Sequence, residues 1–186
     1  MKFIIEHLEK KLFEWCLIEY EHISKIVGKN NLIITNVKKS DLSKLKSFCQ
    51  PEVKSVKEMI LLNACLLDPN AEKELSTKDK FDYFIFGGIL GDYPPQNRTK
   101  KLLDLKIEKR NLTKKQMSTD TAVLAAKLVL DGKKLNELEF KDTLSIEIKK
   151  GKFTETIELP YRYIVLNNKP VISKELIAYL KKKETI

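Results

Sequence analysis

Apolar positions fall into short continuous runs separated by stretches of helical spacing. Lys2–Ile5 reads as a buried strand. Phe13, Cys16, Leu17, Tyr20, Ile23 and Val27 then recur at helical spacing, and Gly28 supplies a C-terminal stop. Leu32–Thr35 is a second strand; Ser40 or Asp41 caps a short helix to about Phe48, with Pro51 beyond it. Ala64–Leu67 gives a third strand ending at Asp68-Pro69. Phe81–Phe86 gives a fourth, with no charged residue between Asp82 and Asp92. Near-continuous apolar strands alternating with helices predict an α/β class, a mainly parallel sheet flanked by helices on both faces.

Past a loop over 87–97, a short helix is expected from about Arg98 to Leu103 and a further strand over Leu105–Glu108. Ser118 or Thr119 caps a helix through Leu130, with Gly132 just past its end. Val123, Leu124, Leu128, Val129 and the alanines among them give it a broad apolar face for packing on the sheet. After Leu138 the period changes. Leu144, Ile146 and Ile148 alternate, Lys150-Gly151 makes a turn, and Phe153–Leu159 alternates again, a hairpin signature. Tyr161–Leu166 is a further extended piece, and a last basic helix begins at Ser173. The expected organisation is an α/β domain over 1–138 with a β-rich C-terminal extension over 139–186 packed on it.

With 186 residues, 42% hydrophobic and 33% charged, the chain holds enough apolar material for a sizeable core, which excludes collagen-like and wholly disordered classes. The longest apolar stretch, Met59–Leu67, is interrupted by Asn63 and falls far short of the ~20 residues a bilayer requires. Glu6 breaks the N-terminal apolar run, so no signal peptide is read there, and a cytoplasmic protein without membrane contact is expected. Cys16, Cys49 and Cys65 are scattered with no C-x-x-C pair, and only His7 and His22 accompany them. Neither a disulfide framework nor a protein-built metal site is expected.

A net charge of +9 raises nucleic acid or an acidic surface as a partner. The kind of charge weakens that inference. Of 35 basic residues only Arg98, Arg110 and Arg162 are arginine, the residue suited to bidentate phosphate contacts. Lysine excess beside many glutamates and few glutamines reads as adaptation of the whole surface to heat.

Three segments carry candidate chemistry. In Phe84-Ile85-Phe86-Gly87-Gly88-Ile89-Leu90-Gly91-Asp92-Tyr93-Pro94-Pro95 a buried strand runs into G-G-x-x-G, where a ligand can approach the backbone closely. It is neither a dinucleotide-binding nor a phosphate-binding glycine motif, because Pro94-Pro95 forces extended chain where those motifs place a helix N-terminus. Amides, carbonyls and the Asp92 carboxylate suit a nucleoside or a cationic group; the plain alternative is a glycine turn closing a strand. Lys115–Thr121 reads either as a helix cap or as pocket-lining amides and hydroxyls, and Leu66-Leu67-Asp68-Pro69 as a turn or a third wall. Loops at the carboxyl ends of parallel strands form one crevice.

Lys2–Glu6, Cys65–Pro69, Phe81–Pro95 with Arg98-Thr99, Lys115-Gln116-Met117 with Thr119-Asp120-Thr121, and Leu159–Tyr163 together resemble the SPOUT-type S-adenosylmethionine-dependent methyltransferases. The branch they resemble contains a eukaryotic protein-arginine methyltransferase acting on a ribosomal protein. The likeness spans nearly the whole chain; Lys38–Ile60 does not obviously match.

The resemblance implies a trefoil knot in the C-terminal half of the α/β domain, which general topology would all but exclude. It also implies an S-adenosylmethionine site built from Leu67, Asp68, Pro69, Gly87, Gly88, Ile89, Leu90, Gly91, Asp92, Leu112, Gln116, Met117, Thr119 and Thr121. For a cationic arginine acceptor, carboxylates must orient the guanidinium and take its proton. Asp92 is the first candidate and Glu6 the second, with Glu6, His7, Arg98 and Arg162 as substrate contacts, the arginines being alternatively structural ion pairs. The expected partner is a ribosomal or translation-associated protein. RNA is the alternative acceptor, since most of these enzymes methylate RNA and a basic surface serves its backbone. A non-enzymatic binding module is the remaining alternative, and monomer or knot-mediated dimer is left open.

Overall fold

The computed structural model describes residues 1–88, 102, 104–150 and 153–183. Six strands, β1 (Lys2–His7), β2 (Leu32–Thr35), β3 (Gln50–Pro51), β4 (Ala64–Leu67), β5 (Tyr83–Gly88) and β6 (Glu108–Arg110), form one sheet in the order β3-β2-β1-β5-β4-β6. Every one of these pairings is parallel, as unbroken apolar runs require. The helices are α1 (Glu14–Val27), α2 (Leu42–Leu45), α3 (Thr119–Leu130) and α4 (Lys174–Lys183).

The sheet's two faces are closed differently. Phe3, Ile5, Cys65, Phe84 and Phe86 belong to a cluster with Cys16, Tyr20 and Ile23 of α1 and Val123, Ala126 and Val129 of α3. On the other face, Ile4, Leu66 and Ile85 meet Val56, which opens a single 3-10 turn, and Leu102. Burying each such large side chain is worth ~1.5–3 kcal/mol before entropy is charged. The three cysteines are buried free thiols, and burial pushes each up to about 12.

Several boundaries depart from expectation. β1 extends to His7 and β5 to Gly88, so the first two glycines are strand residues in register with Glu6 and His7. The strand expected at Leu105–Glu108 forms at Glu108–Arg110, while Leu105 and Ile107 cover the second face. The helix expected to reach Phe48 is a single turn, α2. Gln50-Pro51 then pairs with β2 at the sheet edge, where a proline's missing N–H costs no ladder bond. The helix expected over 98–103 lies outside the described residues apart from Leu102, and the knot depends on the path of 89–101, also outside them.

β7 (Phe140–Lys150), β8 (Phe153–Leu166) and β9 (Lys169–Pro170) make an antiparallel sheet. The two extended pieces expected on either side of Pro160 are one strand. The register shifts between Asp142 and Leu144, with Thr143 at φ 63°, and Pro160 falls opposite this bulge. Asn167 and Asn168, at φ 51° and 59°, turn β8 into β9, a two-residue hairpin not anticipated from the sequence. Ile164 joins the main core, with Phe140, Leu166 and Val171 packed against it, so the extension shares the body's apolar interior.

Candidate active site

Because the sheet is parallel, the carboxyl ends of β1, β5, β4 and β6 share one edge. Chain order reverses across the β1–β5 pair, the position where open α/β sheets accept ligands. His7 stands opposite Gly88, and Glu6 opposite Gly87. Leu67 and Leu112 are buried apolar residues at the ends of β4 and just past β6. The Asp68 N–H donates to the Arg110 carbonyl at 2.9 Å, tying these two ends together, and Asp68 Oδ1 accepts from the Asn70 N–H at 3.0 Å. Pro69 is exposed. Asn111 anchors the next turn, donating its N–H to Lys73 and its side-chain amide to the Ala71 carbonyl, both at 2.8 Å.

The segment 112–118 leads into α3. The Arg162 N–H donates to the Gln116 carbonyl at 3.0 Å, and Met117 bridges Arg162 of β8. Ser118 occupies the N-cap position, as expected, but its hydroxyl donates to Thr121 Oγ1 at 2.8 Å instead of capping the helix. Glu19 of α1 supplies the cap, accepting the Asp120 N–H at 3.2 Å. Asp120 Oδ2 lies 2.8 Å from His22 Nδ1, and Asp120 Oδ1 accepts the Thr121 N–H at 2.8 Å. Thr119, Asp120 and Thr121 are all buried. Burial raises the Glu19 carboxyl well above the ordinary glutamate value, and the Asp120 charge adds to the rise. Tyr163, beside them, is also pushed up by burial.

Glu6 is not an exposed strand-end acid: it is 2% exposed. Its oxygens accept from the Thr35 hydroxyl at 2.5 Å, the Ser55 hydroxyl at 2.6 Å and the Val56 N–H at 3.0 Å. That set stitches β1 to β2 and to the turn at 55–58. His7 is buried as well, its Nδ1 hydrogen-bonded with the Tyr20 hydroxyl at 2.8 Å. Burial lowers its pKa, against an opposing pull from the carboxylates of Glu9, Asp41 and Glu6 and the Lys11 carbonyl. A pocket of about 30 Å³, room for a water, opens beside it between Leu12, Asn36, Val37, Lys38 and Asp41. Arg162 forms the ion pair that was the alternative to a substrate contact. Its Nε donates to Asp142 at 2.7 Å, its guanidinium lies 5.0 Å from the Phe140 ring centroid, and Lys115 joins Asp142 at 2.5 Å. Ile89, Leu90, Gly91, Asp92 and Arg98 lie outside the described residues.

The residues that are described suit an S-adenosyl group: side-chain-free backbone at Gly87 and Gly88, apolar Leu67 and Leu112, and the backbone and hydroxyls at the start of α3. Sequence reading missed Glu19 and His22. The signal was present, since Glu19 interrupts the apolar face marked by Cys16, Tyr20 and Ile23, where an unpartnered acid would be expensive.

Comparison with known proteins adds to this geometry. The profile of the family described as "Protein arginine N-methyltransferase SFM1-like" matches residues 2–185. Protein arginine N-methyltransferase SFM1 of Saccharomyces cerevisiae is 37% identical over 207 aligned positions, covering 98% of this chain and 95% of the yeast protein. The crystal structure of the yeast arginine methyltransferase SFM1 complexed with SAM superposes with a TM-score of 0.87 at 35% identity, covering 100% of this chain and 92% of that one. A Trm10 structure from Thermococcus kodakaraensis, at 19% identity and a TM-score of 0.57 over 74% of this chain and 96% of that one, shares the fold.

Proposed function

We infer the activity from the family: the chain belongs to the SFM1-like protein arginine N-methyltransferases. It is an S-adenosylmethionine-dependent methyltransferase whose acceptor is an arginine side chain, and we propose a ribosomal or translation-associated protein as the bearer of that arginine. The observation that carries the reading is the likeness to the SAM-bound relative over the whole chain.

When bound, S-adenosylmethionine would supply an electrophilic methyl on a sulfonium, open to in-line attack by the acceptor nitrogen, with the C–S electron pair leaving on sulfur as the neutral thioether. The protein's part is alignment, worth ~7–11 kcal/mol in well-oriented systems, and disposal of a proton. The proposed cofactor contacts are Leu67, Asp68, Pro69, the run from Gly87 to Asp92, Leu112, Gln116, Met117, Thr119 and Thr121. An arginine above pKa ~12 arrives as a cation, and a carboxylate both orients it and accepts the proton as the new N–C bond forms. We assign that part to Asp92. Glu6, whose oxygens already accept from three donors, is the second candidate for that part.

Titration calorimetry with S-adenosylmethionine and S-adenosylhomocysteine tests the cofactor reading. The wild type should bind both, and Gly88→Arg, which puts a long cation at the strand end opposite His7, should abolish binding while retaining the thermal melt. Absence of binding by the folded wild type overturns the reading. A labelled-methyl transfer screen then separates acceptors: label in an arginine of a ribosomal protein supports the proposal, and label in RNA alone refutes it.

A further inference from the structure

Helix α3 begins where the proposed cofactor loop ends, and it has no cap of its own. Ser118 is committed to Thr121, so the first amides of the helix go to a residue 101 positions earlier in the chain. Glu19 accepts the Asp120 N–H and also faces the Thr119 backbone amide. His22, three residues further along the same face of α1, lies 2.8 Å from the Asp120 carboxylate. On its other side the loop is fixed by Arg162, through the Gln116 carbonyl and the Met117 bridge. Residues 116–121 are thus gripped from two elements remote in sequence, α1 and β8.

We propose that Glu19 is a positioning residue for the cofactor: by capping α3 from α1 it sets the direction of the 116–121 backbone and hydroxyls toward S-adenosylmethionine. The inference rests on the methyltransferase reading. Glu19 does not touch the cofactor and acts through Thr119 and Thr121. What the cap needs is an acceptor oxygen of the right length, not a charge. Burial favours the protonated carboxyl, which a glutamine reproduces in shape.

The experiment measures S-adenosylhomocysteine affinity by calorimetry for the wild type, Glu19→Gln, Glu19→Leu and Cys16→Ala. Glu19→Leu keeps the volume but loses the acceptor and should weaken binding about tenfold or more, the scale of a lost cap. Glu19→Gln should rescue affinity to within about threefold. Cys16→Ala loosens the packing of α1 without touching the cap and should change affinity by less than about twofold. That split, and the rescue, would not follow from general destabilisation. Equal affinity of wild type and folded Glu19→Leu overturns the inference while leaving the cofactor reading intact; no binding by the wild type overturns both. Should Glu19→Leu fail to fold, hydrogen exchange on the wild type decides. Ligand should slow exchange in 116–121 and around Glu19 together, and slowing in 116–121 with none around Glu19 overturns the inference.

Discussion

Glu6 and Glu19 are both 2% exposed, one on each side of the sheet, and they are held in opposite ways. Glu6 meets two hydroxyls and one amide. Glu19 meets backbone amides but also the neighbouring Asp120 carboxylate, and its proton is favoured. Burial alone therefore says little about what a carboxylate does; the count of donors against like charges decides whether it is a stitch or a neutral peg.

The largest effect expected from this contrast is at Glu6. Glu6→Ala takes away the acceptor shared by the Thr35 and Ser55 hydroxyls and the Val56 N–H inside the fold and should cost about 3–5 kcal/mol in urea denaturation. A loss below about 1 kcal/mol would show that water replaces the carboxylate and the stitch is dispensable. At Glu19 the test is a pH slope. Its folded pKa lies above the ordinary 4.5, so the stability it contributes is complete below that value and fades as pH rises toward the folded pKa. Relative to Glu19→Gln, the wild type should lose up to about 1.4 kcal/mol per pH unit across that window. A difference that stays flat with pH means Glu19 is ionised in the fold. The smallest effect is at Asp142, an exposed acid held low chiefly by Arg162 and then by Lys115, with the opposite sign: its contribution fades as pH falls below the ordinary 3.8. Asp142→Asn should cost no more than about 1 kcal/mol, and less still at about 1 M salt; a salt-independent loss would mean the pair is effectively buried.

The parallel sheet was legible because Leu32–Ile34, Ala64–Leu67 and Phe84–Phe86 are unbroken apolar runs that only a two-sided interior can absorb. Boundaries failed where tertiary pairing overrode local pattern. Glu6 and His7 entered β1 because β5 extends alongside them, and Pro160 stayed within β8 because a bulge removed the need for its N–H. The loops proposed to hold cofactor could be picked out by glycine and capping residues. Their supports were marked at most as a polar interruption, as Glu19 is on α1, and what they hold could not be read, because the Glu19 cap and the Ser55 contact to Glu6 join positions 101 and 49 apart. Arg162 illustrates the same limit, since its partner Asp142 becomes visible only once β7 and β8 are paired.

The remote cap also orders events in time. A helix closed by its own serine can form as soon as its residues leave the ribosome; α3 cannot be finished until α1, made about a hundred residues earlier, has docked against it. Closing so long a loop is slow relative to local structure. Order in the 116–121 segment is accordingly tied to the closing of the whole domain and not to that stretch of chain alone.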